Sequence, residues 1–321
     1  MPVPLVQVER SGVVESVHLG DIAVCDASGM LIASAGDPNR VAFARSCMKP
    51  LQGAVSLAAI EGSISDREVA VMCSSHNGEP VHVRAVRSLL KRGGLDEDVL
   101  RNPPGRPIDA DAAARVKEPA RIYQDCSGNH SGILVASAFA GWPLDSYRTR
   151  SHPHHRRLLP LIRRLAAGDP VIGVDGCGIP VHAIPLRAHA TMYARMAVAA
   201  EDDPDVRRVL DAMQAESYMV GGRERDDTAV MQALPDLVMK EGAEALDCAL
   251  ARSAGIGIAV KIHDGGYRAA GPATIETLHQ LGLLPPGARR RLGSAWRPTL
   301  RGGDRPAATI APIFSLSREQ T

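Results

Sequence analysis

Aromatic side chains are scarce in this 321-residue chain, at 3 % of its residues. Protein surfaces that bind single-stranded nucleic acid depend on such rings for stacking, so their scarcity disfavours a nucleic-acid partner. The formal net charge is also close to zero, at +1. The chain therefore has no overall charge that would attract a polyanion or an anionic membrane, and we expect a small-molecule partner.

Long apolar runs and clustered cysteines are lacking as well. No uninterrupted apolar stretch of the sequence is long enough to cross a bilayer, and the opening MPVPLVQVERSGVVESV is not a basic segment followed by an apolar one. The six cysteines are scattered, unlike those of a secreted disulfide framework. These features predict a cytoplasmic protein with no membrane partner.

The apolar pattern predicts a mixed α/β (α+β) fold in a single catalytic domain over residues 1–321. Residues 5–35 alternate apolar and polar positions, as strands do, and helical spacing begins near Lys49. A short buried strand is expected over Val69 to Met72, followed by the polar loop CSSHNGE. We expect strands from both ends of the chain to pair in one antiparallel sheet, a central helical region, and a loosely held tail after Arg301.

The segment ARSCMKPLQ, residues 44–52, places Ser46 three positions before Lys49. On a helix start, side chains at this spacing lie on one face. A serine hydroxyl needs a neighbouring base to become a good nucleophile, and a buried lysine with a lowered pKa can be that base. The same four residues also suit an ordinary helix start, with a capping serine and a solvated lysine. The tetrapeptide alone leaves both interpretations open.

Three further segments carry residues that suit an active site. CSSHNGE places Ser75 and His76 in a loop, where functional side chains are common, although an ordinary turn would also use hydroxyl groups. Lys261 interrupts the apolar segment GIAVKIHDGG, either as an inward-facing amine or as a solvated lysine of an edge strand. Cys126 and Cys177 lie in the glycine turns DCSGNHSG and DGCGIP. Two thiolates that meet in space would suit zinc, whereas buried, inert cysteines are the alternative.

These five segments occur in the order found in one enzyme family. The sequence resembles the asparaginases of the Rhizobium etli inducible type, also called class 3 or the asparaginase II family, from about Val6 to the region of Gly271. The resemblance implies a fold like that of serine β-lactamases and serine-dependent glutaminases. It also implies a homodimer that converts L-asparagine to L-aspartate and ammonia through a Ser-Lys acyl-enzyme mechanism.

The resemblance assigns roles to individual residues of this chain. Ser46 matches a catalytic serine with Lys49 as its base, and Ser75 and Lys261 match a second Ser-Lys pair. The residues expected around the substrate are Arg45, His76, Asp175 and His130. Cys126 and Cys177 match two ligands of a zinc ion whose third ligand in the family is a lysine.

The sequence departs from the family pattern at two places. The residue that matches the lysine ligand is Asn129, in Cys126-Ser127-Gly128-Asn129-His130, and an amide is a poor zinc ligand. The segment GGRERDDTAVM, residues 221–231, also departs from a Gly-Arg-x-x-Thr-like pattern of the family. The first departure leaves zinc binding open from the sequence, and the second leaves the choice of amide substrate open. The alternatives are another serine-dependent amidase or esterase of this fold, and a non-catalytic protein that binds zinc or a small molecule.

Overall fold

A computed structural model describes residues 1–318 of the chain, and two compact units make up the fold. The sheet unit contains Met1–Cys47, Ile184–Val198 and the residues from Ala229 onward. The helical unit contains Met48–Ala183 and Ala199–Thr228. The expectation of one catalytic domain over residues 1–321 stays a prediction.

The strands and helices occur in successive groups along the chain. The strands are β1 (Val3–Arg10), β2 (Val13–Asp26), β3 (Leu31–Ala35), β4 (Val41–Phe43), β5 (Val171–Val174), β6 (Pro180–Pro185), β7 (Leu237–Gly242), β8 (Leu246–Ala251), β9 (Ile256–Ile262), β10 (Thr299–Gly302), β11 (Arg305–Pro312) and β12 (Ser317–Arg318). The helices are α1 (Lys49–Leu57), α2 (Asp66–Met72), α3 (Pro80–Arg92), α4 (Ala110–Ala114), α5 (Ser127–Ala140), α6 (Pro153–Ala166), α7 (Leu186–Asp202), α8 (Pro204–Ala215), α9 (Ser217–Val220), α10 (Asp226–Ala233), α11 (Tyr267–Gln280), α12 (Pro286–Arg291) and α13 (Gly293–Trp296).

The sheet unit is built on one antiparallel sheet with the strand order β10–β11–β1–β2–β9–β8–β7, and β3 joins β2 from the side. Strands from the two ends of the chain are neighbours, since β1 pairs with β11 in the register Val6↔Pro312 and Val8↔Ile310. The predicted mixed α/β class and the pairing of the two chain ends are confirmed. The expectation of a loose tail after Arg301 is wrong for residues 305–312, because β11 lies inside the sheet between β10 and β1. Residues 319–321 lie outside the described residues.

The helical unit places three of the candidate residues, Lys49, Cys126 and His130, at the starts of two helices. Helix α1 begins at Lys49 after a short 3-10 turn, Arg45–Met48, as the sequence predicts, and Pro50 occupies its first turn, where a missing N–H costs nothing. Helix α5 begins directly after Cys126, so Asn129 and His130 lie in its first turn. Within residues 1–318, the helices are too short or too polar to span a membrane.

The predicted strand over Val69 to Met72 is wrong, because these residues form the last turn of helix α2 (Asp66–Met72). The helix is started by a capping box. The Ser65 side chain accepts a hydrogen bond from the Glu68 amide, and the Glu68 carboxylate accepts one from the Ser65 amide. The Ser-x-x-Glu pattern at 65–68 was a signal for this helix, whereas four apolar residues suit a buried helix as well as a strand.

We expect Glu68→Gln to lower the free energy of unfolding by about 2 kcal/mol at pH 7, since charged hydrogen bonds to a buried group are lost. Glu68 accepts from Arg92 Nε at 2.8 Å and from Ser88 Oγ at 3.0 Å. Burial opposes the ionised form, but the bonds from Arg92 and Ser65 outweigh it and lower the pKa of Glu68 to about 2. A lowered pKa stabilises the fold above the carboxylate's ordinary pKa, and this contribution is lost as the pH falls toward 2.

Urea titrations at several pH values measure this difference. The difference in the free energy of unfolding between the native protein and Glu68→Gln should decrease as the pH falls below 5. A difference that stays constant down to pH 2 would contradict the lowered pKa of Glu68. Glu97→Gln is the matched control. Glu97 pairs with Arg87 at the exposed surface, where ion pairs contribute under about 1 kcal/mol.

Candidate active site

Ser75 lies in the segment Cys73–Glu79, which joins helix α2 to helix α3. Every residue of this segment is buried. Its backbone is held on both sides, because the Ser75 N–H donates to Val220 O at 3.0 Å and the His76 N–H donates to Asp125 O at 3.1 Å. The Ser75 hydroxyl therefore stands on a fixed backbone, and the two amides beside it are already engaged.

Lys49 is the first residue of α1, and its side chain is only 2 % exposed. Its Nζ atom donates to Ser74 O at 2.6 Å, to Ser75 Oγ at 2.9 Å and to Cys126 Sγ at 3.2 Å. An ammonium group has three N–H donors, so these three acceptors satisfy the buried cation completely. The structure thus brings together three residues that were singled out in separate segments of the sequence: Lys49, Ser75 and Cys126.

The sulfur atoms beside Lys49 favour its charged form. Burial alone would lower the pKa of Lys49, but Cys126, Asp125 and Cys177 outweigh burial and raise it above its usual value. A hydrogen bond from Cys177, helped by the charge of Lys49, lowers the pKa of the Cys126 thiol. The same bond to Cys126, together with burial, raises the pKa of the Cys177 thiol. Cys177 is therefore the S–H donor of the pair, and Cys126 Sγ is the sulfur that accepts from Lys49 Nζ.

His76 is fully buried, and both of its ring nitrogens are engaged. Its Nδ1 atom accepts from the Gly78 N–H at 3.0 Å, and its Nε2 atom lies 3.0 Å from Ser127 Oγ. Ser127 Oγ in turn donates to Ile122 O at 2.8 Å. The Gly78 bond requires the Nε2–H tautomer, so His76 donates to Ser127. A contact between His76 and substrate stays a prediction, and the bonds seen here connect its ring to the Gly78 N–H and the Ser127 hydroxyl.

Asn129 and His130 each leave one buried polar atom without a hydrogen bond. Asn129 Nδ2 donates to Met72 O at 3.1 Å, and His130 Nδ1 lies 2.7 Å from the Tyr147 hydroxyl. Asn129 Oδ1 and His130 Nε2 have no hydrogen-bond partner within residues 1–318. Burial, reinforced by the charge of Lys49, lowers the pKa of His130 to about 3, so its ring is neutral.

The remaining predicted residues are described within their own units. In the helical unit, Asp175 stands in the turn before Cys177, and its carboxylate accepts from the Gly176 N–H at 2.6 Å. In the sheet unit, Arg45 has a positive φ of 47° and precedes the buried Ser46. Lys261 donates to Ile262 O at 2.6 Å and to Glu244 O, and burial lowers the pKa of its ammonium. The pairing of Ser75 with Lys261 stays a prediction.

Two neighbours of Lys49 were not predicted from the sequence. The Ser74 carbonyl is a backbone group, so no residue type marks it in advance. Asp125 precedes Cys126 directly and contributes to the raised pKa of Lys49. Its position in DCSGN was the only available signal, and an acidic residue before a glycine turn is too common to be specific.

The residues around Cys126 and Cys177 do not fit the zinc site that the resemblance implies. Asn129, at the position of the third ligand, points its amide nitrogen at the Met72 carbonyl. The part of the chain that the structure describes contains no group of three or more His, Cys, Asp or Glu side chains arranged to hold a metal ion. Protein zinc sites have at least three such ligands, whereas two sulfur atoms and an adjacent ammonium are found here.

We expect the purified protein to contain little zinc after dialysis, as measured by inductively coupled plasma mass spectrometry. The matched variant Asn129→Lys, which places an amine at the family's third position, should bind more zinc than the native chain because an amine is the better ligand. One zinc per chain in the native protein, lost in Cys126→Ser, would contradict this account.

Comparisons with known proteins identify the family. The family model of L-asparaginase II matches residues 6–311, which is nearly the whole chain. The protein therefore belongs to the L-asparaginase II family, and the resemblance inferred from the five motifs is confirmed. Among curated proteins, none matches this chain.

Solved structures that match the chain are distant. They include Mglu in its native form, with a TM-score of 0.46 and 15 % identity over 83 % of this chain and 65 % of Mglu. Mglu in its glutamate form has a TM-score of 0.46 and 15 % identity over 82 % of this chain and 61 % of Mglu. A β-lactamase from Mycobacterium bovis has a TM-score of 0.36 and 12 % identity over 81 % of this chain and 94 % of that protein. The chain spans less than two thirds of the length of Mglu.

Proposed function

We propose that the protein hydrolyses the side-chain amide of L-asparagine to L-aspartate and ammonia through an acyl-enzyme formed on a serine. The observation that carries the proposal is the contact of Lys49 Nζ with Ser75 Oγ at 2.9 Å. Membership of the L-asparaginase II family supports an amidohydrolase activity. The choice of asparagine rests on that membership and on the motifs of the sequence.

Ser75 is the nucleophile in this proposal, and Lys49 moves its proton. The sequence leads us to expect a lowered pKa for a lysine base, whereas the pKa of Lys49 is raised and the ammonium is its resting form. Lys49 therefore acts as the base only after it gives one proton to solvent, and the resulting amine accepts the hydroxyl proton while Ser75 Oγ attacks the amide carbon. The C–N bond then breaks, and the proton held by Lys49 passes to the departing nitrogen, which leaves as ammonia. Water next gives a proton to Lys49 and attacks the ester, and Ser75 regains its proton as aspartate leaves.

The surroundings of Lys49 suit this role because they stabilise the ammonium that forms when Ser75 is deprotonated. Ser74 O and Cys126 Sγ are already placed as acceptors for two of its three N–H groups. A preorganised site of this kind needs no rearrangement as charge develops. Ser46 and Lys261, which the resemblance assigns to the same chemistry, stay predicted participants in proton transfer, and the homodimer stays a prediction.

A substrate panel tests the proposal. The purified protein should release ammonia from L-asparagine faster than from L-glutamine, and it should turn over neither a chromogenic β-lactam nor p-nitrophenyl acetate at a comparable rate. Faster turnover of the ester or the β-lactam would favour another serine hydrolase. Binding of L-asparagine in calorimetry without any ammonia release would favour a non-catalytic binding protein.

A further inference from the structure

The segment that carries Ser75 is aligned against a second stretch of the helical unit, residues 217–223. Besides the bond from the Ser75 N–H to Val220 O, the Asn77 N–H donates to Gly221 O at 2.8 Å. Asn77 Nδ2 donates to Arg223 O at 2.7 Å. Three bonds between neighbouring positions fix the alignment of the two segments, much as bonds between strands fix register. The position of Ser75 therefore depends on where residues 217–223 lie.

The carboxylate of Glu79 holds both ends of this second stretch. Glu79 Oε2 accepts from the Tyr218 hydroxyl at 2.6 Å, and Glu79 Oε1 accepts from the Arg223 N–H at 3.1 Å. Burial and the bond to Glu79 raise the pKa of Tyr218, so the phenol keeps its proton and remains a donor. One buried side chain thus connects residues 218 and 223 to the start of α3.

The stretch also fits closely around Glu79. Gly222 has a φ of 117°, a conformation that residues with a side chain rarely adopt. A Cβ atom at Gly222 would lie 2.5 Å from Glu79 Oε1 and 2.9 Å from Asn77 Nδ2. The backbone therefore passes directly against these two side chains, and a displacement of Glu79 leaves Gly222 without its present support.

A column of stacked rings links the same two segments. His82 lies between His76 and Tyr218, with ring centroids 5.2 Å and 5.8 Å away and nearly parallel planes. His82 Nε2 also lies 2.9 Å from Tyr218 O. Because His76 follows Ser75 directly, the position of the Tyr218 ring is coupled to the Ser75 backbone by packing as well as by hydrogen bonds.

Stability alone does not explain a carboxylate at this position. Glu79 is only 6 % exposed, and its side chain makes no capping bond to α3, whose N-cap it occupies. Burying an ionised carboxylate costs several kcal/mol unless its partners compensate. The partners that it does have are the two groups that locate residues 218–223.

We propose that Glu79 is a positioning residue for Ser75, acting through residues 218–223 to hold Ser75 Oγ within reach of Lys49 Nζ. The proposal rests on the proposed function, in which Ser75 is the nucleophile. Misplacing a reacting group by about 1 Å can cost about 10²-fold in rate. Glu79→Ala should therefore lower kcat for L-asparagine by about 10²-fold, with KM changed by less than about threefold, because no contact to substrate is removed.

Two variants and a control separate positioning from stability. Glu79→Gln keeps an acceptor oxygen and should recover at least about tenfold of the rate lost in Glu79→Ala. Tyr218→Phe removes one hydroxyl, and it should lower kcat several-fold at temperatures well below its own melting temperature. This variant replaces Glu79→Ala in the test if Glu79→Ala does not fold. Glu68→Gln, a change at another buried glutamate of the helical unit, should lower the melting temperature and leave kcat unchanged below it.

A second readout does not depend on the substrate. A fluorophosphonate probe, which loses fluoride as it phosphonylates a reactive serine, should label Ser75 in the native protein, and Glu79→Ala should slow the labelling about 10²-fold. If labelling of Ser75 depends on Glu79 but the protein releases no ammonia, the positioning role of Glu79 is supported and the asparaginase proposal is overturned. Equal labelling rates and equal kcat in native protein, Glu79→Ala and Tyr218→Phe would overturn the positioning role. Absence of labelling at Ser75 would overturn both.

Discussion

Lys49→Met is expected to lower kcat for L-asparagine by about 10³-fold, within the range found for removal of a group that transfers protons. Methionine has a similar length and is apolar, so it keeps helix α1 packed while it removes the amine that contacts Ser75 Oγ. It also removes a cation from between Ser74 O and Cys126 Sγ, so a lower melting temperature should accompany the loss. Steady-state assays of ammonia release, with thermal unfolding measured in parallel, test both effects.

The control for Lys49 is Lys91→Met, at an exposed lysine of helix α3 in the same unit. It should change kcat by less than about twofold, since a surface substitution away from the site has little effect. Lys49→Met protein that is folded and keeps more than a third of the native rate would rule out Lys49 as the group that moves the Ser75 proton.

Ser75→Ala is expected to abolish measurable turnover, with a loss of about 10³-fold or more, because the nucleophile of the proposed mechanism is removed. Ser46→Ala should lower kcat by a smaller factor if Ser46 assists proton transfer without forming the covalent bond. Rapid-quench measurement of ammonia release during the first turnover distinguishes the two, because it reports the acylation step directly.

Ser74→Ala is the matched control for Ser75→Ala. The Ser74 hydroxyl donates to Val71 O at 2.7 Å, whereas only its backbone carbonyl contacts Lys49. We therefore expect a kcat within about threefold of the native value, with a small loss of stability. If instead Ser46→Ala is inactive and Ser75→Ala retains turnover, the nucleophile is Ser46 of the Ser-x-x-Lys segment.

The sequence was most informative where a local rule fixes the structure. Pro50 marks a first helical turn, so the start of α1 at Lys49 could be predicted from one residue. The strand with Lys261 and the pairing of the chain ends were predicted from alternation and from the positions of the strands. The predicted strand over Val69 to Met72 was wrong because a run of four apolar residues shows neither the helical nor the strand periodicity. The capping box of Ser65 and Glu68 is the feature that indicates a helix here.

The candidate site was harder to predict, because its contacts join segments that are far apart in the chain. Spacing placed Lys49 with Ser46, whereas the structure directs the Lys49 ammonium to Ser75 and Cys126. The local sequences around Ser75 and Cys126 do not indicate that both side chains contact the amine of Lys49. The role of Glu79 was equally hidden, since a glutamate before a proline is typical of a helix start. No feature of the sequence indicates that Tyr218 and Arg223, 139 and 144 residues later, lie beside it.

The most direct test of the Ser75–Lys49 assignment is the mass spectrum of the protein after rapid acid quenching during turnover of L-asparagine, followed by peptide mapping. We expect a fraction of the chain to be heavier by one aspartyl group, on the peptide that contains Ser75, and no such adduct in Ser75→Ala or Lys49→Met. An aspartyl group on the peptide that contains Ser46, present in Ser75→Ala and absent in Ser46→Ala, would contradict it.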